Sequence, residues 1–180
     1  MNERALHEAT AVDLRLAHAK YFIDQYFKHS GPPSDSYSHM IAYFDAYLFF
    51  LASVFDLSDE STKSKLKSKD EFLFAKILRN ISTHRSVLAA PGSKGEYIRP
   101  MMRVIGASVG PENSSSKLYF NLLLLEEVLN KYASARTSET KSVEASMRYV
   151  QNIKGRKLNP ELGELMLEIL DTVKTVTDGT

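Results

Sequence analysis

The feature that most constrains this chain is the spacing of its apolar residues, which recur at steps of three and four through most of its length. Ala5, Ala9, Val12, Leu16, Ala19, Ile23 and Tyr26 keep that rhythm over 5–29 and fall on one helical face. Leu162, Leu165, Met166, Ile169, Leu170 and Val173 repeat it near the other end. A strand needs alternation to present an apolar face, so such segments bury their side chains only as helices. The expected fold class is mainly α, an antiparallel helix bundle with residues 1–180 forming one domain. A chain of this length can bury roughly 70% of its unfolded surface around a single core.

From about Ser34 to Phe55 apolar residues cover half of the helix circumference and leave Asp45, Ser53 and Asp56 on a narrow polar strip, which predicts a central helix. Gly31-Pro32-Pro33 breaks it from the first helix and suits an antiparallel pair. The stretch Met40 to Phe55 is the most membrane-like, but it is shorter than the ~20 residues a span needs and carries Asp45, so it reads as a core helix. The tract SDESTKSKLKSKD, with Lys63, Lys65, Lys67 and Lys69, has little to bury and predicts a mobile loop. Ser68 followed by Glu71 reads as a capping box that opens a third helix running to Pro91-Gly92.

Residues 101–123 stay open between two readings. MMRVIGASV and KLYFNLL flank a Gly-Pro-Glu-Asn-Ser turn, as in a β-hairpin, while Leu118, Leu122, Leu125 and Leu129 also share one helical stripe. A helix is expected from about residue 122. Val143, Met147 and Val150 mark a short helix, and Asn159 as cap with Pro160 in the first turn opens the last one. No internal repeat is visible.

Lys and Arg number 23 against 22 Asp and Glu, a net charge of +1, so no whole-molecule field draws in nucleic acid or anionic membrane, and any basic site is local. The absence of cysteine removes disulfides, thiolate chemistry and sulfur-ligated zinc, and fits a reducing compartment, the cytoplasm by default. The opening MNERALHEATAVDLRL mixes charged and apolar residues and does not read as a secretion signal.

Several motifs fail on their surroundings. Gly106-Ala107-Ser108-Val109-Gly110 matches the nucleophile-elbow pattern, but all five histidines precede Ser108 and Pro111 stands where the following helix should start. His7-Glu8 has no second histidine at zinc-site spacing, and Gly110 to Lys117 lacks the second glycine of a phosphate loop. Neither a metal nor any other cofactor is expected. Asn80-Ile81-Ser82 and Asn113-Ser114-Ser115 fit glycosylation sequons without a secretory context. Tyr43, Tyr47 and Phe50 form an aromatic row that reads as core rather than as a base-stacking platform. Lys63 to Lys69 reads as solvated rather than as an RNA contact.

One constellation survives, in the third helix: Arg79-Asn80 followed by His84, with four residues between arginine and histidine. In a chain of this composition R-x4-H alone arises in roughly a quarter of shuffled sequences, but R-N-x3-H in about one in a hundred, so Asn80 carries the specificity. Helical geometry treats the site independently. Phe74, Leu78, Ile81 and Leu88 define a core stripe. At about 100° per residue, His84 lies about 80° from its centre and Arg79 about 140° the other way, with Asn80 and Thr83 between them. All four are therefore expected to leave the core together, beside the outward apolar residues Leu73 and Val87 that a partner subunit would cover.

The motif resembles that of HEPN domains, all-helical domains of about this length that carry R-x4-H, often with a polar residue directly after the arginine. The resemblance rests on this one helix and on helix order. It implies a homodimer whose motif helices build a shared cleft, and a metal-independent endoribonuclease acting on single-stranded RNA, of the kind that serves as a toxin or defence effector. RNA, a second copy of the chain and a cognate inhibitor protein are the implied partners. Arg79, His84 and Asn80 are the implied catalytic residues. His84 would move protons, because imidazole titrates near neutrality. Arg79 would grip phosphate oxygens through its planar fork, and Asn80 would orient His84 or meet the substrate. Where some members carry a tyrosine two residues beyond the histidine, this chain has Ser86, which argues against their nucleotidyltransferase antitoxin as partner. The alternative is a catalytically silent helical adaptor, or a dimer that binds RNA without cutting it.

Overall fold

The computed structural model describes residues 3–29, 36–83, 105–108, 117–157 and 160–179. They form α1 (Glu3–Lys28), α2 (Ser36–Leu57), α3 (Glu60–Lys67), α4 (Asp70–Thr83), β1 (Ile105–Ser108), β2 (Lys117–Phe120), α5 (Leu122–Ala135), a 3-10 turn (Thr137–Glu139), α6 (Thr140–Arg156) and α7 (Leu162–Asp178). The fold is mainly α, as the apolar spacing requires.

Helices α1 and α2 lie antiparallel, because His18 meets Phe50, Phe22 meets Tyr43 and His29 meets His39 along their seam. Residues 39–57 have the length and apolarity of a membrane span. In the fold, Met40, Phe44, Tyr47, Leu48, Leu51 and Val54 are buried against neighbouring elements. Tyr47 donates its hydroxyl to the Met166 carbonyl at 2.8 Å, which fastens α2 to α7. Burial holds that hydroxyl well above its ordinary titration range. Tyr43 and Phe50 are half-buried and pack on the core, so the aromatic row is mostly structural.

Helix α4 packs against α6, α2, α7 and α3. Its Phe74 meets Phe120 of the hairpin and Tyr149 of α6, at ring centroids 6.3 and 5.0 Å away. Charged pairs reinforce α6 from outside: Arg148 with Asp70 of α4 at 2.7 Å, Lys154 with Glu126 of α5 at 3.2 Å, and Arg156 with Glu168 of α7 at 3.0 Å. At the surface such pairs contribute at most about 1 kcal/mol each, so they set orientation more than stability.

The open segment at 101–123 resolves into both of its readings in sequence. Ile105 pairs with Phe120 and Ser108 with Lys117 in an antiparallel hairpin. The Asn121 side chain then accepts the Leu124 N–H at 3.2 Å and starts α5, one residue after the strand ends. Leu118, Leu122, Leu125 and Leu129 are all buried, so the stripe and the hairpin share one interior face.

Three local expectations need correction. The Ser and Lys tract is not a loop but helix α3: Asp59 caps it by accepting the Thr62 N–H at 2.7 Å, and Thr62 and Leu66, one turn apart, are both buried. That bond holds the exposed Asp59 carboxyl below its ordinary range. Lys65 and Lys67 in the last turn suit the negative end of the helix dipole. Two buried positions were enough, because the caps and the dipole supply what apolar area lacks. Ser68 is not the cap of α4: its hydroxyl donates to the Lys65 carbonyl at 2.7 Å and so closes α3. The last helix starts at Leu162 rather than at Pro160, since the Pro160 carbonyl accepts the Phe120 N–H at 3.1 Å and Glu161 bridges Tyr119 in extended form. Asn159 and the expected helix end at Pro91-Gly92 lie outside the described residues.

The short α3 hangs on one fully buried side chain, so Leu66→Ala should cost about 2–5 kcal/mol. Amide exchange is the direct check: residues 60–67 should be protected in the wild type and lose that protection in the variant. Fast exchange over 60–67 in the wild type would mean the tract is the loop its composition predicts.

Candidate functional site

The residues that set the Arg79-Asn80 pair are those of α4 itself. Phe72, Phe74, Ala75, Ile77, Leu78 and Ile81 are buried, and no side chain from Asp70 to Ser82 is fully exposed. A helix with one buried stripe would leave its far side in water, but α4 has neighbours on several sides. This overturns the expectation that Asn80 leaves the core. Asn80 is only 9% exposed, at the junction of α4 with the 3-10 turn. Leu73 likewise is half-buried and packed on the core rather than spare apolar surface.

A buried amide has to find partners, and Asn80 finds them on two sides. Its Nδ2 donates to Glu139 Oε2 at 3.0 Å, and its Oδ1 accepts from Arg79 Nη1 at 3.2 Å. The orientation is set by chemistry: a carboxylate only accepts and a guanidinium only donates, so the amide nitrogen must face Glu139 and its oxygen Arg79. Glu139 is presented by a turn in which its N–H donates to the Arg136 carbonyl at 3.0 Å and the Arg136 N–H donates to the Tyr132 carbonyl at 2.9 Å. Tyr132 of α5 is fully buried beside this network. Burial first, and the Glu139 carboxylate second, push its hydroxyl up to about 12.

A second anchor lies two residues on. Ser82 Oγ donates to Asp45 Oδ1 of α2 at 2.7 Å, so Asp45 of the polar strip faces the last turn of α4. The motif helix is thus pinned by two carboxylates from opposite directions in sequence, Asp45 before it and Glu139 after it. The result is a half-buried guanidinium fixed to a rigid amide. A guanidinium is the side chain whose planar fork suits phosphate oxygens.

Arg79 and Asn80 are therefore brought together, while His84, Ser86 and Val87 lie outside the described residues, and α4 is described to Thr83. Lys63 to Lys67 belong to α3, with Lys67 placed over the Phe55 ring at 5.3 Å. Ser108 sits on a hairpin strand opposite Lys117, not on a strand-to-helix elbow. Among the described residues no group of three His, Asp or Glu side chains is arranged to hold a metal ion. Sequence reasoning missed Glu139 and Tyr132 altogether. Glu139 lies 59 residues from Asn80 in a polar break between helices, where no spacing rule links the two.

Tyr132 supplies a pH test of this network. Its folded-state value lies above the 10.0 of an ordinary tyrosine, so the folded state holds the proton more tightly than the unfolded chain. That stability is complete below pH 10 and drains away as pH rises towards 12. Urea titrations across that window should show a shallower loss of stability for Tyr132→Phe than for the wild type, and parallel slopes would contradict the assignment. No family model, curated protein or solved structure matches this chain, so the site stands on its own geometry.

Proposed function

We propose that the chain is a metal-independent endoribonuclease of HEPN type that cleaves single-stranded RNA as a homodimer in a reducing compartment such as the cytoplasm. The observation that carries this reading is the Arg79–Asn80 hydrogen bond of 3.2 Å at the end of α4, in the residues that lead directly into His84. In the reaction the ribose 2′-oxygen bonds to the adjacent phosphorus and the bond to the 5′-oxygen breaks, leaving a 2′,3′-cyclic phosphate and a 5′-hydroxyl. DNA lacks the attacking group. His84 of one protomer takes the 2′ proton and His84 of the other protonates the leaving oxygen. Arg79 neutralises charge that builds on the phosphate oxygens. A toxin or defence role with a cognate inhibitor protein accords with such an activity.

The second reading, a catalytically silent helical adaptor or RNA-binding dimer, is favoured by the bond from Asn80 to Glu139. A side chain satisfied inside the fold needs no substrate to explain it. The two readings part at the chemistry.

The purified protein should cut single-stranded RNA in EDTA, with His84→Ala and Arg79→Ala each losing on the order of a hundredfold in rate while helicity persists. A single 2′-deoxy nucleotide at the cleaved position should block the cut. Equal cleavage by wild type and His84→Ala would discard this site, and an intact dimer that cuts nothing would favour the adaptor. Light scattering at micromolar concentration should give twice the chain mass. A monomer there would remove the shared cleft.

A further inference from the structure

We infer that Glu139 is a positioning residue for the Arg79 guanidinium, acting at a distance through the Asn80 amide. This rests on the ribonuclease reading for its catalytic consequence, but not for its geometry.

The inference comes from the polarity of the chain of bonds rather than from its length. Arg79 Nη1 donates to Asn80 Oδ1 at 3.2 Å, and Asn80 Nδ2 donates to Glu139 Oε2 at 3.0 Å. The middle member could be satisfied in two orientations if its neighbours each offered both a donor and an acceptor. Glu139 offers acceptors alone, so it holds the amide nitrogen to itself and turns the amide oxygen towards Arg79. An inverted amide would present N–H groups to a guanidinium and an oxygen to a carboxylate, two repulsive contacts in a buried place. The carboxylate from one side and the guanidinium from the other thereby select the same state of a three-residue relay.

The placement of Glu139 suits that task. It stands on the 3-10 turn directly ahead of α6, the helix whose Tyr149 meets Phe74 of α4 at 5.0 Å. Its backbone N–H is fixed to the Arg136 carbonyl, and the Thr140 hydroxyl closes the same turn onto the Thr137 carbonyl at 2.7 Å. The turn is thereby closed by hydrogen bonds on both sides of Glu139, and Asn80 is set against it. Tyr132 is buried beside Glu139 and Asn80.

The decisive substitution is Glu139→Gln, which keeps shape and an acceptor but adds a donor. The glutamine can meet either edge of the Asn80 amide, so the amide state is left to the donor-only Arg79 guanidinium alone and the hold on that guanidinium loosens. Cleavage of single-stranded RNA should fall about tenfold in kcat with a smaller change in KM. In an Arg79→Ala background the same substitution should change kcat by less than about twofold, because the relay no longer has an end. A merely structural Glu139 would lower activity by the same factor in both backgrounds, and that result would overturn the inference.

A readout independent of activity is the nitrogen-edited proton spectrum of the Asn80 side-chain amide and the Arg79 Nε–H. Both should shift in Glu139→Gln, whereas Arg79→Ala should leave the downfield Asn80 proton facing Glu139 in place. If Glu139→Gln moves the Asn80 signals and leaves Arg79 unmoved, there is no relay. If the wild type cuts no RNA, the ribonuclease reading falls, while the spectra still decide whether Glu139 sets Arg79.

Discussion

Burial of α4 on several sides is the constraint from which the rest follows. Once Phe72, Phe74, Ile77, Leu78 and Ile81 point into the interior between α2, α3, α6 and α7, Asn80 among them is cut off from water and Ser82 is partly so. Asn80 and Ser82 must then be answered by other side chains, and the answers come from Glu139 and Asp45. A buried polar network of this kind is costly when incomplete and stiff when satisfied. The fixed orientation of the Asn80 amide is thus a by-product of enclosing α4.

How far the sequence could be read depends on the distance over which each feature is decided. The buried stripe of α7, from Leu162 to Val173, is settled within the helix, and the positions expected to be buried are buried. The cap at Asn121 and the pairing of β1 with β2 are likewise local, which is why both readings of 101–123 held part of the truth. Helix α3 was hidden because its tract reads as polar and charged. Only the joint effect of the Asp59 cap, the lysines of the last turn and a single buried leucine makes it helical. Pro160 looked like a first helical turn until its carbonyl was claimed by Phe120, forty residues away.

The candidate site shows the same division more sharply. Arg79, Asn80 and His84 are neighbours on one helix, so their spacing could be seen. The wheel that placed Asn80 outside assumed a helix covered on one side, and that assumption failed because α4 packs against α2, α3, α6 and α7 and Asn80 bonds to Glu139 of the 3-10 turn. Nothing in the spacing of the chain links Asn80 to Glu139. Their pairing is a property of the packed fold.

Pro160 has a bearing on whether the edge of the small sheet can pair with strands from other molecules. A hairpin of two four-residue strands leaves an edge that can recruit further strands from other molecules. On the β2 side that edge is met by Pro160 and Glu161 of the same chain. Pro160 accepts the Phe120 N–H but has no N–H to return, so the ladder cannot be completed there. The backbone turns into α7 one residue after Glu161. The sheet is thereby finished with a segment too short and too one-sided to be extended, which closes a route to edge-to-edge aggregation on that side of the molecule.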